Sequence, residues 1–231
     1  MEVLGVEERL LCSVTDPDLL HGVCRVTQDS HLRNLRAMLE QGCEVVFDSW
    51  FQCSLSVGWS PDSIRTFFLP LIRETADLAH EFGALYIVYD AGRMRDLATD
   101  LVEAGADVLS GLQPPPIGDV TLRELKAQYG KRVALMGGID PCYVFDTGSP
   151  EKVRDAVRKA IADAGAGGGF VLGTALAPAP ETPEACLHAG AGAVRDFRRD
   201  PARLASCRQA ARAAAQTHFA RRVATGRYER L

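Results

Sequence analysis

From residue 42 onward, short apolar runs alternate with longer stretches in which apolar residues recur at helical spacing. That rhythm predicts repeated strand-helix units. The expected strands are Cys43–Asp48, Leu85–Asp90, Asp107–Leu112, Arg132–Gly137 and Gly169–Leu172. Each is nearly continuous in apolar residues, as befits parallel strands covered on both faces.

The stretches between them carry start and stop signals. Ser60-Pro61-Asp62 combines a capping hydroxyl, a first-turn proline and an acid that suits the helix dipole. The helix it opens runs to Gly83 with Ile64, Phe67, Phe68 and Leu71 in one stripe, and Pro70 is expected to kink it. A second helix takes in Met94, Leu97 and Leu101 before Gly105. Ser149-Pro150-Glu151 opens a third through Val153, Val157 and Ile161, and Thr182-Pro183-Glu184 a fourth through Leu187, Val194 and Phe197. The first 42 residues read as helical, with Leu32, Leu35 and Leu39 leading to Gly42. No glycine-rich dinucleotide fingerprint follows the first strand, so a (β/α)8-type barrel fits this α/β pattern better than an open doubly wound sheet. Such barrels take about 250 residues for eight strands, so three strands are missing. The two outer strands are expected to present open edges to another copy or to a partner chain that completes the barrel.

Composition narrows the class. At 231 residues, 47% hydrophobic and 24% charged, the chain can bury a core and is neither disordered nor collagen-like. No apolar run approaches the roughly 18 to 20 residues of a bilayer crossing, and Met1 to Leu10 holds three glutamates where a secretory signal holds lysines. A cytoplasmic protein is expected. Cys12, Cys24, Cys43, Cys53, Cys142, Cys186 and Cys207 form no CxxC pair, which suits a reducing compartment. The net charge of -4 conceals a basic end: residues 193–231 hold 10 Arg against 3 acids. A barrel domain over residues 1–198 and a basic helical tail over 199–231 are expected, the tail solvated or docked on its own body through Leu204, Ala211, Ala215 and Phe219. Nucleic acid and membrane are not expected partners, because the tail lacks interleaved aromatics and its apolar face is mostly alanine.

Chemistry in such barrels sits at the carboxyl ends of the strands, where Asp48, Asp90 and Asp140 close their runs. A single aspartate there is well explained as a cap. Three around one mouth favour a chemical role for at least one, since grouped carboxylates split into acid and base forms. Arg93 and Arg95 follow Asp90 and suit the carboxylates of an acidic substrate, or pair with Asp90 and Asp96. Tyr89 is placed as a proton donor or stacking ring, or as a buried strand tyrosine. Trp50 and Trp59 flank the loop after the first strand as pocket walls or core, and Gln113 begins a loop stiffened by Pro114, Pro115 and Pro116. The glycines from Gly165 to Gly169 resemble a phosphate-cradling loop, but no Lys-Ser/Thr follows and a strand comes next, so a helix stop is expected. The five histidines, His21, His31, His80, His188 and His218, lie apart from cysteines at ligand spacing. No metal and no cofactor are expected.

One ordered string of motifs carries a resemblance. It runs from Thr15-Asp16-Pro17 with Leu19-Leu20-His21, through Val45-Val46-Phe47-Asp48-Ser49-Trp50 and Phe68-Leu69-Pro70, to Glu103-Ala104-Gly105-Ala106-Asp107. It continues through Gly137-Gly138-Ile139-Asp140-Pro141, Gly167-Gly168-Gly169-Phe170 and Glu181-Thr182-Pro183-Glu184. Over about residues 8–198 the chain resembles the uroporphyrinogen decarboxylase superfamily. The resemblance implies a TIM barrel whose members decarboxylate a tetrapyrrole without a cofactor, or move methyl groups between corrinoids and thiols using zinc. It aligns Met1 beyond the family's third strand, past the early arginines and catalytic aspartate. Where the methyltransferase branch holds zinc, this chain has Tyr89, Ala91 and Leu176. The implied substrate is a small acidic or tetrapyrrole-like molecule. Alternatives left open are a methyltransferase relative without zinc and a non-enzymatic barrel subunit or remnant.

Overall fold

The computed structural model describes residues 4–199; the expected tail helix, with His218 and Cys207, lies outside the described residues. Five strands form one sheet in the order β1-β2-β3-β4-β5: β1 Val45–Ser49, β2 Leu85–Tyr89, β3 Val108–Leu112, β4 Ala134–Ile139 and β5 Phe170–Thr174. β1 pairs parallel with β2, and β4 with β5. All five expected strands are present. The helices are α1 Val6–Thr15, α2 Pro17–Glu40, α3 Pro61–Phe67, α4 Leu69–Glu81, α5 Ala98–Glu103, α6 Leu122–Tyr129, α7 Pro150–Ala164 and α8 Glu184–Arg199. Among the described residues no helix is long and apolar enough to cross a membrane.

Where local structure departs from the sequence pattern, the cause is local. The helix expected from Ser60 to Gly83 is two helices, because Pro70 supplies no amide hydrogen and the chain re-caps at Phe68, buried between them. Met94 and Leu97 precede α5 rather than lie in it; the Met94 carbonyl accepts from the amides of Leu97 and Ala98 in a turn. The periodicity passed over α6, although Thr121 and Glu124 exchange the reciprocal bonds of a capping box. Ser60 and Ser149 cap α3 and α7 as expected.

The described residues divide into two compact units, those up to residue 90 with 94–108, and residues 91–93 with those from 109 onward. In the first, β1 and β2 pair from Val45↔Leu85 to Ser49↔Tyr89. Alternation puts Val46, Asp48, Tyr86 and Val88 on one face. Val46, Tyr86 and Val88 are buried there, while Val45 and Phe47 on the other face are 47% and 57% exposed. This outer strand is therefore covered on one face, not both. Gln28 of α2 reaches α4, donating to the Leu71 carbonyl and the Thr75 hydroxyl, each at 3.0 Å. Asp107 ties α4 to β2: its Oδ2 lies 2.8 Å from His80 Nε2 and accepts from the Tyr86 amide at 2.9 Å. Gly105, at φ +109°, is required beside this tie, since a Cβ there would stand 2.9 Å from that of Ala76.

In the second unit, β4 and β5 pair from Leu135↔Phe170 to Ile139↔Thr174. Leu125, Leu135, Val153, Val157 and Ala164 form its core. α6 and α7 are joined by Asp163, whose carboxylate takes Arg123 at 2.7 Å and also Lys159. Val171 on β5 is 51% exposed.

Because Asp107 satisfies both a ring nitrogen and a backbone amide, Asp107→Ala strands two buried donors. The loss should be about 2–4 kcal/mol, read as a lower urea midpoint at unchanged slope. An unchanged midpoint would refute this role of Asp107 as a tie.

Candidate functional site

Asp48 is the fourth residue of β1, with its side chain 16% exposed. Two ring donors converge on its Oδ2: Trp50 Nε1 at 2.9 Å and the Tyr86 hydroxyl at 2.9 Å. Trp50 Nε1 also lies 3.2 Å from the Tyr86 oxygen, so the three side chains form a closed triangle. His31 of α2 brings Nε2 to 4.0 Å from the same carboxylate oxygen, and that nitrogen is buried without a hydrogen bond. Strand parity explains the set. Tyr86 stands two residues along β2 from the partner of Asp48 on the same face, and its long side chain spans the gap. Burial, reinforced by the Asp48 charge, pushes the Tyr86 phenol well above its usual range. Tyr86 therefore remains a hydrogen-bond donor, and Asp48 keeps one oxygen, Oδ1, that neither ring engages.

Asp90 follows β2 and is buried. Its charge reaches Tyr89 and Cys53. Burial pushes the Cys53 thiol up to about 12, against a smaller opposing pull from Arg9. Arg9 is itself buried, donating to Gln52 Oε1 at 2.9 Å and to Cys53 Sγ at 3.7 Å. In the sequence it sits beside Glu7 and Glu8. Tyr89 is half-buried, its ring 5.6 Å from that of Phe47. Arg93 and Arg95 are exposed on either side of buried Met94.

In the second unit, buried Gln113 donates to Asp140 Oδ2 at 3.2 Å, and Asp140 Oδ1 accepts from the Tyr143 amide at 2.8 Å. Asp140 thereby caps a π-helical turn, Pro141–Asp146, a kind of turn that recurs at functional sites. Asp146 at its end accepts from the Ala179 amide and the Thr182 hydroxyl, fixing the loop after β5.

Of the residues singled out from sequence, the structure brings Asp48 together with Trp50, and Gln113 with Asp140. Asp48 and Asp140 belong to separate hydrogen-bond sets. Trp50 and Trp59 are both buried, the latter donating to the Gln52 carbonyl and edge-on to Phe68 at 4.7 Å. Tyr86 is unmarked in the sequence and His31 reads there as an isolated histidine, since nothing in the chain order marks residues 38 and 17 positions from Asp48 as its neighbours. Among the described residues no group of three or more His, Cys, Asp and Glu side chains is placed to hold a metal ion. A groove of about 490 Å³ between α2 and α4, lined by Arg33, Arg36, Asp77 and Glu81, contains none of these residues.

The model of the uroporphyrinogen decarboxylase (URO-D) family matches residues 3–197. The chain belongs to that family. It is 32% identical over 162 residues to uroporphyrinogen decarboxylase of Neisseria meningitidis serogroup C, covering 68% of this chain and 42% of that protein. The enzyme of the same name from Saccharophagus degradans is 32% identical over 171 residues, 71% of this chain and 44% of its own length. That from Gloeobacter violaceus is 28% identical over 177 residues, 74% and 46%. The chain thus spans less than half the length of these curated relatives. A solved methyltransferase from Methanosarcina mazei superposes with a TM-score of 0.70 at 21% identity, covering 85% of this chain and 55% of that one. The family fold is therefore present: five βα units of a (β/α)8-type barrel in sequence order.

The buried phenol generates a pH-dependent prediction. Ionisation of Tyr86 lies above that of an unfolded tyrosine, so its contribution to stability is intact below about pH 10 and is lost as pH rises through the folded value. Tyr86→Phe should weaken the protein below that range and flatten the alkaline fall in urea midpoint. Equal alkaline slopes in the two proteins would contradict a protonated Tyr86 in the fold.

Proposed function

We propose that this chain supplies part of a decarboxylase acting on a small polyacidic, tetrapyrrole-like substrate without a cofactor. The observation that carries the reading is the match, at about 30% identity, to proteins named uroporphyrinogen decarboxylase over two thirds or more of the chain. The chemistry of the site supports it. Loss of carbon dioxide breaks a carbon-carbon bond and leaves electron density on carbon that must be met by a proton. Asp48, Asp90 and Asp140 are the groups proposed to hold and deliver protons at the strand ends. Asp48 is suited to this by the neutral phenol and indole that fix its orientation. The exposed guanidiniums of Arg93 and Arg95 are proposed to receive substrate carboxylates, as planar forks that match them. Tyr89, Gln113 and Trp50 are proposed to shape the pocket wall. The same reading places the protein in the cytoplasm, in keeping with the free thiols of Cys12, Cys24, Cys43, Cys53, Cys142 and Cys186.

The five strands of the described residues do not by themselves close a barrel that needs eight. We infer that the exposed rows on β1 and β5, with Val45, Phe47 and Val171, lead the chain to associate with a second copy or with a chain supplying the remaining strands. Sedimentation of the purified protein should show concentration-dependent association. A single monomeric species at tens of micromolar would overturn that inference.

The activity test measures carbon dioxide release from uroporphyrinogen, by this chain alone and mixed with the unmatched part of the Neisseria relative. Little release is expected alone, and turnover should appear on mixing. Asp48→Asn should lower the restored rate by roughly 100-fold or more while its circular dichroism stays unchanged. A mixture that assembles yet releases no carbon dioxide sinks the decarboxylase reading and favours a subunit without catalysis. Methyl transfer to a thiol by the same mixture would favour the chemistry of the structural neighbour.

A further inference from the structure

Gln113 and Asp140 each follow directly on the last residue of a strand, Leu112 of β3 and Ile139 of β4, and both are buried. Asp140 engages both of its oxygens within the protein: Oδ1 accepts from the Tyr143 amide at 2.8 Å and Oδ2 from Gln113 Nε2 at 3.2 Å. A carboxylate only accepts, so it fixes which way round the Gln113 amide sits. The nitrogen faces Asp140, and the oxygen, Oε1, is left as an acceptor. Among the described residues nothing donates to that oxygen, and it is not closed off from solvent. The backbone here is closely packed. Gly118 donates to the Pro114 carbonyl at 3.2 Å, and a Cβ on it would stand 1.8 Å from the Gln113 carbonyl oxygen and 3.0 Å from that of Gly92. Only glycine lets these segments meet. Arg93, the residue after Gly92, is exposed.

We propose that Gln113 is a specificity-determining residue, the acceptor for a ring N–H of an acidic ligand, and that Asp140 is the positioning residue that sets its polarity. The inference rests on the decarboxylase reading for the class of ligand, a pyrrole acid, and deepens it: carboxylates go to Arg93 and the ring N–H to Gln113 Oε1. An amide whose nitrogen is held by a carboxylate is polarised, which strengthens the bond its oxygen takes. The same oxygen rejects a ring that brings a lone pair in place of the hydrogen, because two acceptors then face each other and the buried one loses its partner. Asparagine in place of Asp140 removes the constraint, since an amide both donates and accepts and lets the Gln113 side chain turn round.

The test follows, by NMR titration of the full 231-residue chain, the binding of a pyrrole dicarboxylate and of the furan dicarboxylate of the same shape, which has a ring oxygen where the pyrrole has N–H. The pyrrole should bind roughly tenfold or more tightly. Gln113→Met, similar in length and without an acceptor oxygen, should make the two affinities alike. Asp140→Asn should cut the preference to about threefold or less while binding of the furan is kept; a merely structural Asp140 would weaken both ligands equally. Equal affinities in the unmodified chain, binding of neither acid, or a preference that survives both substitutions would overturn the proposal. The decarboxylase reading is judged separately, by carbon dioxide release from the mixture described above. Release without a pyrrole preference overturns the role of Gln113 alone, and a preference without release leaves Gln113 an N–H acceptor in a protein that does not decarboxylate.

Discussion

Tyr86 is fastened by a carboxylate at each end, and the first unit is organised around that fact. Its amide hydrogen goes to Asp107, which lies against His80 of α4. Its hydroxyl goes to Asp48 at the far end of the neighbouring strand's buried face. A fully buried phenol without partners would cost several kcal/mol. With both ends engaged it becomes a strut that fixes the β1–β2 register and the direction of the Asp48 carboxylate together. Trp50 completes the triangle, its Nε1 reaching both the Tyr86 oxygen and Asp48.

Much of the architecture was legible because it follows from one-dimensional rules. Parallel strands buried on two faces leave apolar runs, and serine, proline and acid at a helix start leave a signature that Ser149 and Pro150 obey to the residue. The errors arose where two rules met. Pro70 alone implies a kink, but with Phe68 buried two residues before it the helix ends and restarts. α6 is short and polar outside its core stripe, so its capping box outweighs its periodicity as a signal. The outer strand β1 kept its apolar run although one face is exposed.

The site was less legible because its geometry joins distant positions. Asp48 and Trp50 are two residues apart and were both singled out, yet the third corner of their triangle comes from the next strand. The hidden charge of Arg9 is set by Gln52 and Cys53, again a tertiary matter. Asp140 answers the choice between cap and chemistry differently from what either rule suggests. It caps the π-helical turn with one oxygen and takes Gln113 with the other, so a structural duty and a polar site coexist in one side chain.

Before β5, Gly167, Gly168 and Gly169 take left-handed φ of 85°, 72° and 64°. Glycine surrenders more freedom on folding than any other residue, so ordering this connection costs entropy with no side chain to bury in return. Among the described residues β5 beyond it has one strand neighbour, β4, with Val171 half in water. Its few strand contacts and exposed face favour local opening, with exchange of its amide hydrogens, ahead of global unfolding. Among the described residues β5 is thereby a margin of the sheet, tied by its ladder to β4 and by a glycine turn to α7.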